Sequence, residues 1–167
     1  MRTDRQGVLV INGWTLVTHP CFSGQLESLV LEVKALKAKY PTSYQNKNAS
    51  KRLAAICKLA FDVIPQNPLR SEYRQGTTLG SGRKHWFRAK CFQQYRLFFR
   101  CHESSKTIVY AWVNDETTKR AYDSKRDAYT VFKKMLDSGC PPDAWDEFVT
   151  EATGCCAPLR DVTGDLL

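Results

Sequence analysis

The sequence predicts an α+β domain: two N-terminal helices packed on a mainly antiparallel sheet of about four strands, with a further helix towards the C-terminus. Three observations predict it. Apolar residues recur at three- and four-residue spacing from Leu26 to Tyr40 and again from Leu53 to Ile64, the period of helices that bury one stripe. Three β-prone runs then succeed one another across short polar gaps, so hairpin links and an antiparallel meander are the economical topology. A third helical stripe, Ala128 to Leu136, follows them.

Each element has its own signals. Asn12-Gly13 is a turn, and Trp14 to Val17 after it is a short strand that Pro20 closes. Ser23 can cap the first helix, which carries Leu26, Leu29, Val30, Val33, Leu36 and Tyr40 and ends at Pro41. The second helix places Leu53, Ile56, Cys57, Ala60, Phe61 and Ile64 on its buried stripe. Lys47, Lys51, Arg52 and Lys58 are left for the solvent side, and Pro65 stops the helix. From Pro65 to Gly82 the composition is that of a long loop. The strands Trp86 to Phe92, Tyr95 to Cys101 and Thr107 to Val113 come next. The last is apolar on both sides and belongs mid-sheet, with Ile108, Tyr110 and Trp112 opposing Val109, Ala111 and Val113. Asp127 caps the helix that Gly139 and Pro141 terminate, and a last helical piece fits around Trp145 and Phe148.

At 167 residues and 43% hydrophobic, the chain supports a single domain, residues 1–167. Its core is expected at about 12–150, with a flexible tail over 151–167, where apolar residues are sparse. No apolar run is long enough to span a bilayer, and the N-terminal apolar patch is too brief for a signal peptide. A cytoplasmic location with no membrane partner follows. The seven cysteines are odd in number and irregularly spaced, which reads as reduced thiols without zinc.

Lys and Arg number 25 against 17 Asp and Glu, a net charge of +8, and polyanions are the natural partners of such a chain. The charge is polarised. From Lys47 to Arg100 there are twelve basic residues against Asp62 and Glu72, whereas Cys140 to Leu167 holds six acids and Arg160. Between Arg83 and His102 no acid occurs, and aromatics are threaded among the cations. Alternation puts Arg88 and Lys90 on one side of their strand and Arg96, Phe98 and Arg100 on one side of the next. The two rows can merge into a face that meets RNA phosphates. Arg83, Lys84, His85, Arg88, Lys90 and Arg100 are the candidate RNA contacts. Arg96 is expected as an exposed sheet cation that matters little for stability.

The motifs of nucleotide hydrolysis, dinucleotide binding and zinc proteolysis are lacking. Asp115, Glu116, Asp123 and Asp127 fit turns and caps better than a two-metal centre. No metal or cofactor is called for. RNA offers a metal-free route, because its 2′-hydroxyl can attack the adjacent phosphate while guanidinium groups stabilise the phosphorane. Arg96 and Arg100 suit that second task. Tyr122, Lys125, Tyr129, His85 and His102 are all available for proton transfer, and spacing does not choose among them.

Several motifs then occur in unbroken order: Asn12-Gly13-Trp14, His19-Pro20-Cys21-Phe22, Tyr95-Arg96-Leu97-Phe98-Phe99-Arg100, Trp112-Val113-Asn114-Asp115-Glu116 and Asp127-Ala128-Tyr129-Thr130-Val131-Phe132 with Lys134-Met135-Leu136. From about Asn12 to Phe148 the chain resembles the YhaV toxins of the RelE-like superfamily. The resemblance implies a RelE-like fold and the toxin of a type II toxin–antitoxin system, a metal-independent endoribonuclease that cuts mRNA at the ribosome and inhibits translation and growth. It implies neutralisation by a PrlF-like antitoxin of AbrB-type fold, with operator DNA reached only through that complex. It also implies Arg96, Arg120, Lys125 and Tyr129 as residues serving the scissile phosphate, with Arg88 and Lys90 on the strand that grips RNA. His102 and Cys155-Cys156 lie outside the family pattern. A noncatalytic RNA-binding module or transcriptional co-repressor is the alternative that the same charge layout allows. A DNA-binding regulator lacks a helix-turn-helix.

Overall fold

In the computed structural model, residues 2, 3, 8–121, 124–152 and 166 are described. Strands β1 (Arg2–Thr3), β2 (Leu9–Ile11) and β3 (Trp14–Thr18) precede helix α1 (Pro20–Lys39) and helix α2 (Asn48–Lys58). A π-turn over Leu59–Val63 carries α2 into the single-turn α3 (Ile64–Gln66). Strands β4 (Phe87–Cys91), β5 (Tyr95–His102) and β6 (Thr107–Val113) follow, then α4 (Ala128–Asp137) and α5 (Trp145–Ala152). The strands form one mixed sheet in the order β1-β2-β3-β6-β5-β4. Among these strands only the β3–β6 pair is parallel.

The fold is α+β, as the periodicities predict, but the sheet is larger than the expected four strands. Five strands are flanked by the two-residue β1. The missed strand β2 sits just before the Asn12-Gly13 turn, whose residues both hold positive φ, 50° and 81°. That is the geometry of a tight hairpin, so the turn signal marks a strand on each side. As expected, β6 is central, hydrogen-bonded to β3 and β5.

The sheet is covered on both faces. Leu26, Leu29, Val30 and Val33 of α1 and Leu53 and Ile56 of α2 pack on Leu97, Phe99, Ile108 and Tyr110. On the other face Phe132 and Leu136 of α4 and Phe148 of α5 pack on Phe98, Val109 and Trp112, with Trp86 among them. A bulge opposite Phe98/Phe99 shifts the register, so Phe98 pairs with Trp112 and Phe99 with Tyr110. Simple alternation therefore fails on β6. Trp112 turns to the α4 side and Val113 to the α1 side because the bulge inserts one extra residue.

Two helix boundaries differ from expectation for local reasons. His19 rather than Ser23 caps α1, its Nδ1 accepting from the Cys21 amide at 3.2 Å. Ser23 is buried within the first turns, bonded to Thr18 at 2.8 Å. Pro65 does not stop the second helix but lies inside α3, near whose start a proline is tolerated. The π-turn before it leaves the Ala60 carbonyl to accept from the Tyr110 hydroxyl, tying the helix to the sheet centre. The long loop is packed: the Gln75 side chain donates to Arg83 O at 2.8 Å and accepts from Thr78 and the Leu79 amide, and Leu79 is buried against the second core.

Most of the expected tail, residues 153–165 and 167, lies outside the described residues. At its two ends the chain is held: Ala152 is buried in α5 and Leu166 in the first core. The Leu166 carbonyl accepts from the Tyr44 hydroxyl at 3.4 Å. Cys21, Cys57, Cys91, Cys101 and Cys140 are free thiols, and no described helix is long and apolar enough to cross a membrane.

Candidate active site

The sheet face that carries the cations is not open. Helices α4 and α5 cover its middle, and what reaches solvent is the border where edge strand β4 meets the start of α4. Strand pairing sets Arg88 opposite Phe98 and Lys90 opposite Arg96, so all four side chains share the α4 side. Arg88 donates from Nε to the Tyr129 hydroxyl at 2.9 Å and from Nη1 to Glu72 O at 2.6 Å. Tyr129, 8% exposed, packs edge-on against Phe98 with ring centroids 5.5 Å apart.

Arg120 reaches the same tyrosine from another segment. Its guanidinium carbon stands 4.9 Å from the Tyr129 ring centroid, and Nη1 pairs with Asp127 at 2.5 Å. Asp127 also accepts from the Ala121 and Tyr129 amides, so one carboxylate caps α4 and fixes the strand-to-helix connection. The Arg120 amide donates to Gln94 O at 3.0 Å, which moors that connection to the β4–β5 turn. Lys90 and Lys125 are exposed at this border. The structure thus brings Arg88, Arg120 and Tyr129 together.

Arg96 departs from the expected exposed cation: it is 8% exposed. Its Nη1 donates to Gln93 O and Tyr95 O, both at 2.8 Å, while its buried Nε has no hydrogen-bond partner. The guanidinium folds back to clamp the β4–β5 turn. Its backbone is held too, the Arg96 amide donating to Asn114 Oδ1 at 2.5 Å while Asn114 Nδ2 donates to Gln94 O and Thr118 O.

The expected merging of the two cationic rows does not occur, because Arg100 is consumed by packing. It donates to Asp143 O at 2.7 Å and lies between the rings of Trp86 and Trp145, 5.4 and 5.1 Å from their centroids. Burial holds its pKa below the ordinary arginine value. Nearby, Arg83 pairs with Asp137 at 2.8 Å and His85 with Asp143 at 2.9 Å, while Lys84 is exposed. Burial pushes the Asp143 carboxyl up, but hydrogen bonds from Trp86 and His85 and the charges of His85 and Arg83 outweigh it and hold it below the usual carboxylate value. These contacts fasten the segment between α4 and α5. His102 bonds Ser105 and stacks on Trp145 at this same end. Tyr122 is outside the described residues.

Residues 16–153 match the family model Toxin_YhaV, described as a toxin with endonuclease activity, of a toxin–antitoxin system. The chain belongs to the YhaV toxin family. It is 48% identical over 143 residues to the protein named Toxin YhaV of Escherichia coli O6:H1, covering 84% of this chain and 93% of that one. The same identity and coverage relate it to the Ribonuclease toxin YhaV of Escherichia coli K12. No solved structure matches it. Arg88, Arg120 and Tyr129 all fall within the matched span, so this YhaV-family chain carries the cluster inside the toxin unit rather than in an appendage.

Sequence reasoning misses the residues that hold the cluster in shape. Asp127 caps its helix as expected, but only the structure shows that it also holds Arg120 and the Ala121 amide, and that Asn114, which stands in a quoted motif, pins backbone at the border. Arg52, expected on the solvent side of its helix, is 8% exposed, 3.6 Å from Glu116 and over the Tyr95 ring at 4.9 Å. Arg52 stands three residues after Ala49 and four before Ile56, both buried, so it shares their face, but a stripe counted on apolar residues alone passes over a charged one. Among the described residues no group of three or more His, Cys, Asp or Glu side chains is placed to hold a metal ion.

Proposed function

We propose that this YhaV-family toxin is a ribonuclease whose scissile phosphate sits at the Arg88–Tyr129–Arg120 cluster. The observation that carries the reading is the convergence of two guanidinium groups from separate segments on one tyrosine, with Arg88 bonded to its hydroxyl at 2.9 Å. The nucleophile is the RNA 2′-hydroxyl. Its oxygen bonds to phosphorus as the bond to the 5′-oxygen breaks, its proton passes to water, and the guanidinium groups offset the charge on the phosphorane oxygens. Arg88 donates into the Tyr129 oxygen, which leaves the phenol proton directed elsewhere, and this hydroxyl supplies it to the departing 5′-oxygen. A site lined by fixed cations repels a divalent ion, so the reaction runs without added metal.

In this reading Lys90, Lys125 and Lys84 hold flanking phosphates, Arg96 positions the turn beside the cluster, and Arg83, His85 and Arg100 act mainly through structure. The order of elements supports a RelE-like arrangement. The proposal extends to mRNA on the ribosome as substrate, action in the cytoplasm, and a PrlF-like antitoxin of AbrB-type fold that covers the basic border. The test is to incubate the purified protein with mRNA, with and without ribosomes and EDTA, and map new 5′ ends. Cleavage that persists in EDTA supports the proposal. RNA bound but uncut in every arm would instead establish the noncatalytic binding module.

A further inference from the structure

The turn between β4 and β5 displays Phe92, 57% exposed and with a φ of +52°. Both features are unfavourable for an aromatic residue: more than half of its surface stays in solvent, with an edge-on contact to Tyr95 at 6.5 Å between centroids, and the left-handed backbone suits glycine or asparagine. The strain sits on a turn that is otherwise tightly fixed. Arg96 Nη1 holds the Gln93 and Tyr95 carbonyls, and the Arg120 amide and Asn114 Nδ2 hold the Gln94 carbonyl. Beside the ring lies a concavity of about 300 Å³ whose lining includes Asn48, Lys51, Gln93, Tyr95 and Lys119. Lys119 also pairs with Glu116 at 2.8 Å. Lys90 is exposed two residues before Phe92.

We propose that Phe92 is the platform of a nucleobase subsite, on which a base flanking the cleaved phosphate stacks while Lys51 and Lys119 meet the adjoining phosphates. An exposed ring among cations, with amide side chains at its edge, has the composition of a single-stranded RNA site. The chain of hydrogen bonds through Arg96, Gln94 and Arg120 sets its position relative to the Arg88–Tyr129–Arg120 cluster. The subsite rests on the ribonuclease reading for its place in the reaction, but its ligand is testable without cleavage.

The probe is a fluorescein-labelled, mixed-sequence 2′-O-methyl oligoribonucleotide, which lacks the attacking hydroxyl and stays intact. Phe92→Ala is expected to weaken its binding roughly 5- to 150-fold, the range for removing one stacked base. Phe92→Trp is expected to restore binding, with indole fluorescence quenched as RNA is added. Phe92→Gly is expected to raise thermal stability while weakening RNA binding, a split that a purely structural residue would not give. On cleavable RNA the loss should fall mainly on KM. Unchanged affinity in Phe92→Ala, or an unquenched Phe92→Trp, overturns the subsite. So does loss of antitoxin binding with RNA affinity intact, which would make the ring a protein contact. If instead the wild-type protein binds the probe through Phe92 but never cuts unmodified RNA, the ribonuclease reading fails and the stacking site stands.

Discussion

Arg88 and Tyr129, far apart in sequence, meet through one hydrogen bond of 2.9 Å that joins the edge strand to the first turn of α4. The bond orients the hydroxyl, so removing either partner should harm chemistry more than folding. Tyr129→Phe keeps the ring against Phe98 and is expected to slow RNA cleavage by about 10² to 10⁴. Arg88→Ala is expected to slow it by about 10² to 10³. Rates of 5′-end formation check both, with circular dichroism confirming the fold.

Arg96 is expected to behave differently, because it is buried and clamps two carbonyls of the β4–β5 turn. Arg96→Ala leaves those acceptors without their charged donor and should lower unfolding free energy by about 2 kcal/mol. Urea denaturation reads this directly. A wild-type midpoint in the alanine variant would show that the clamp contributes nothing.

The two ends of the basic face should separate in salt titrations. Lys90→Ala and Lys125→Ala, each removing an exposed cation, are expected to reduce the slope of log affinity against log salt by about 0.7 for every phosphate that is no longer neutralised. Arg100→Ala is expected to leave the slope alone and to lower stability by about 2 kcal/mol, since that guanidinium is packed between Trp86 and Trp145. RNA filter binding across salt concentrations distinguishes them.

Asp143 sets an acid limit on stability. Its folded pKa lies below the ordinary value of 3.8, so the unfolded chain takes up the proton first as pH falls. The stabilisation from its ionised form is complete above the ordinary value, declines through it and is lost below the folded one. Asp143→Asn should flatten the melting temperature on the acid side of about pH 4. Melting curves from neutral pH downwards test the sign.

Much of this architecture was legible because helices α1, α2 and α4 carry stripes of Leu, Val, Ile and Phe at the helical period, and because β4 to β6 are separated by short polar turns. Legibility ended where one residue changes a pattern. The β6 bulge moves Trp112 to the opposite face from the one alternation assigns, and the Asn12-Gly13 turn hides a strand on its N-terminal side. At the proposed site, charge count does not tell which cations are exposed. Arg88 and Arg100 look equivalent in sequence, yet one borders solvent beside Tyr129 and the other lies between two indoles. That difference comes from α4 and α5 folding back across the sheet, which strand alternation does not encode.

The most direct measurement is the chemical form of the ends left on RNA cut by the purified protein in EDTA, read by mass spectrometry. Attack by the 2′-hydroxyl at the Arg88–Tyr129–Arg120 cluster predicts a 2′,3′-cyclic phosphate on one fragment and a 5′-hydroxyl on the other. Fragments ending in a 3′-hydroxyl and a 5′-phosphate, or cleavage that EDTA abolishes, would contradict it.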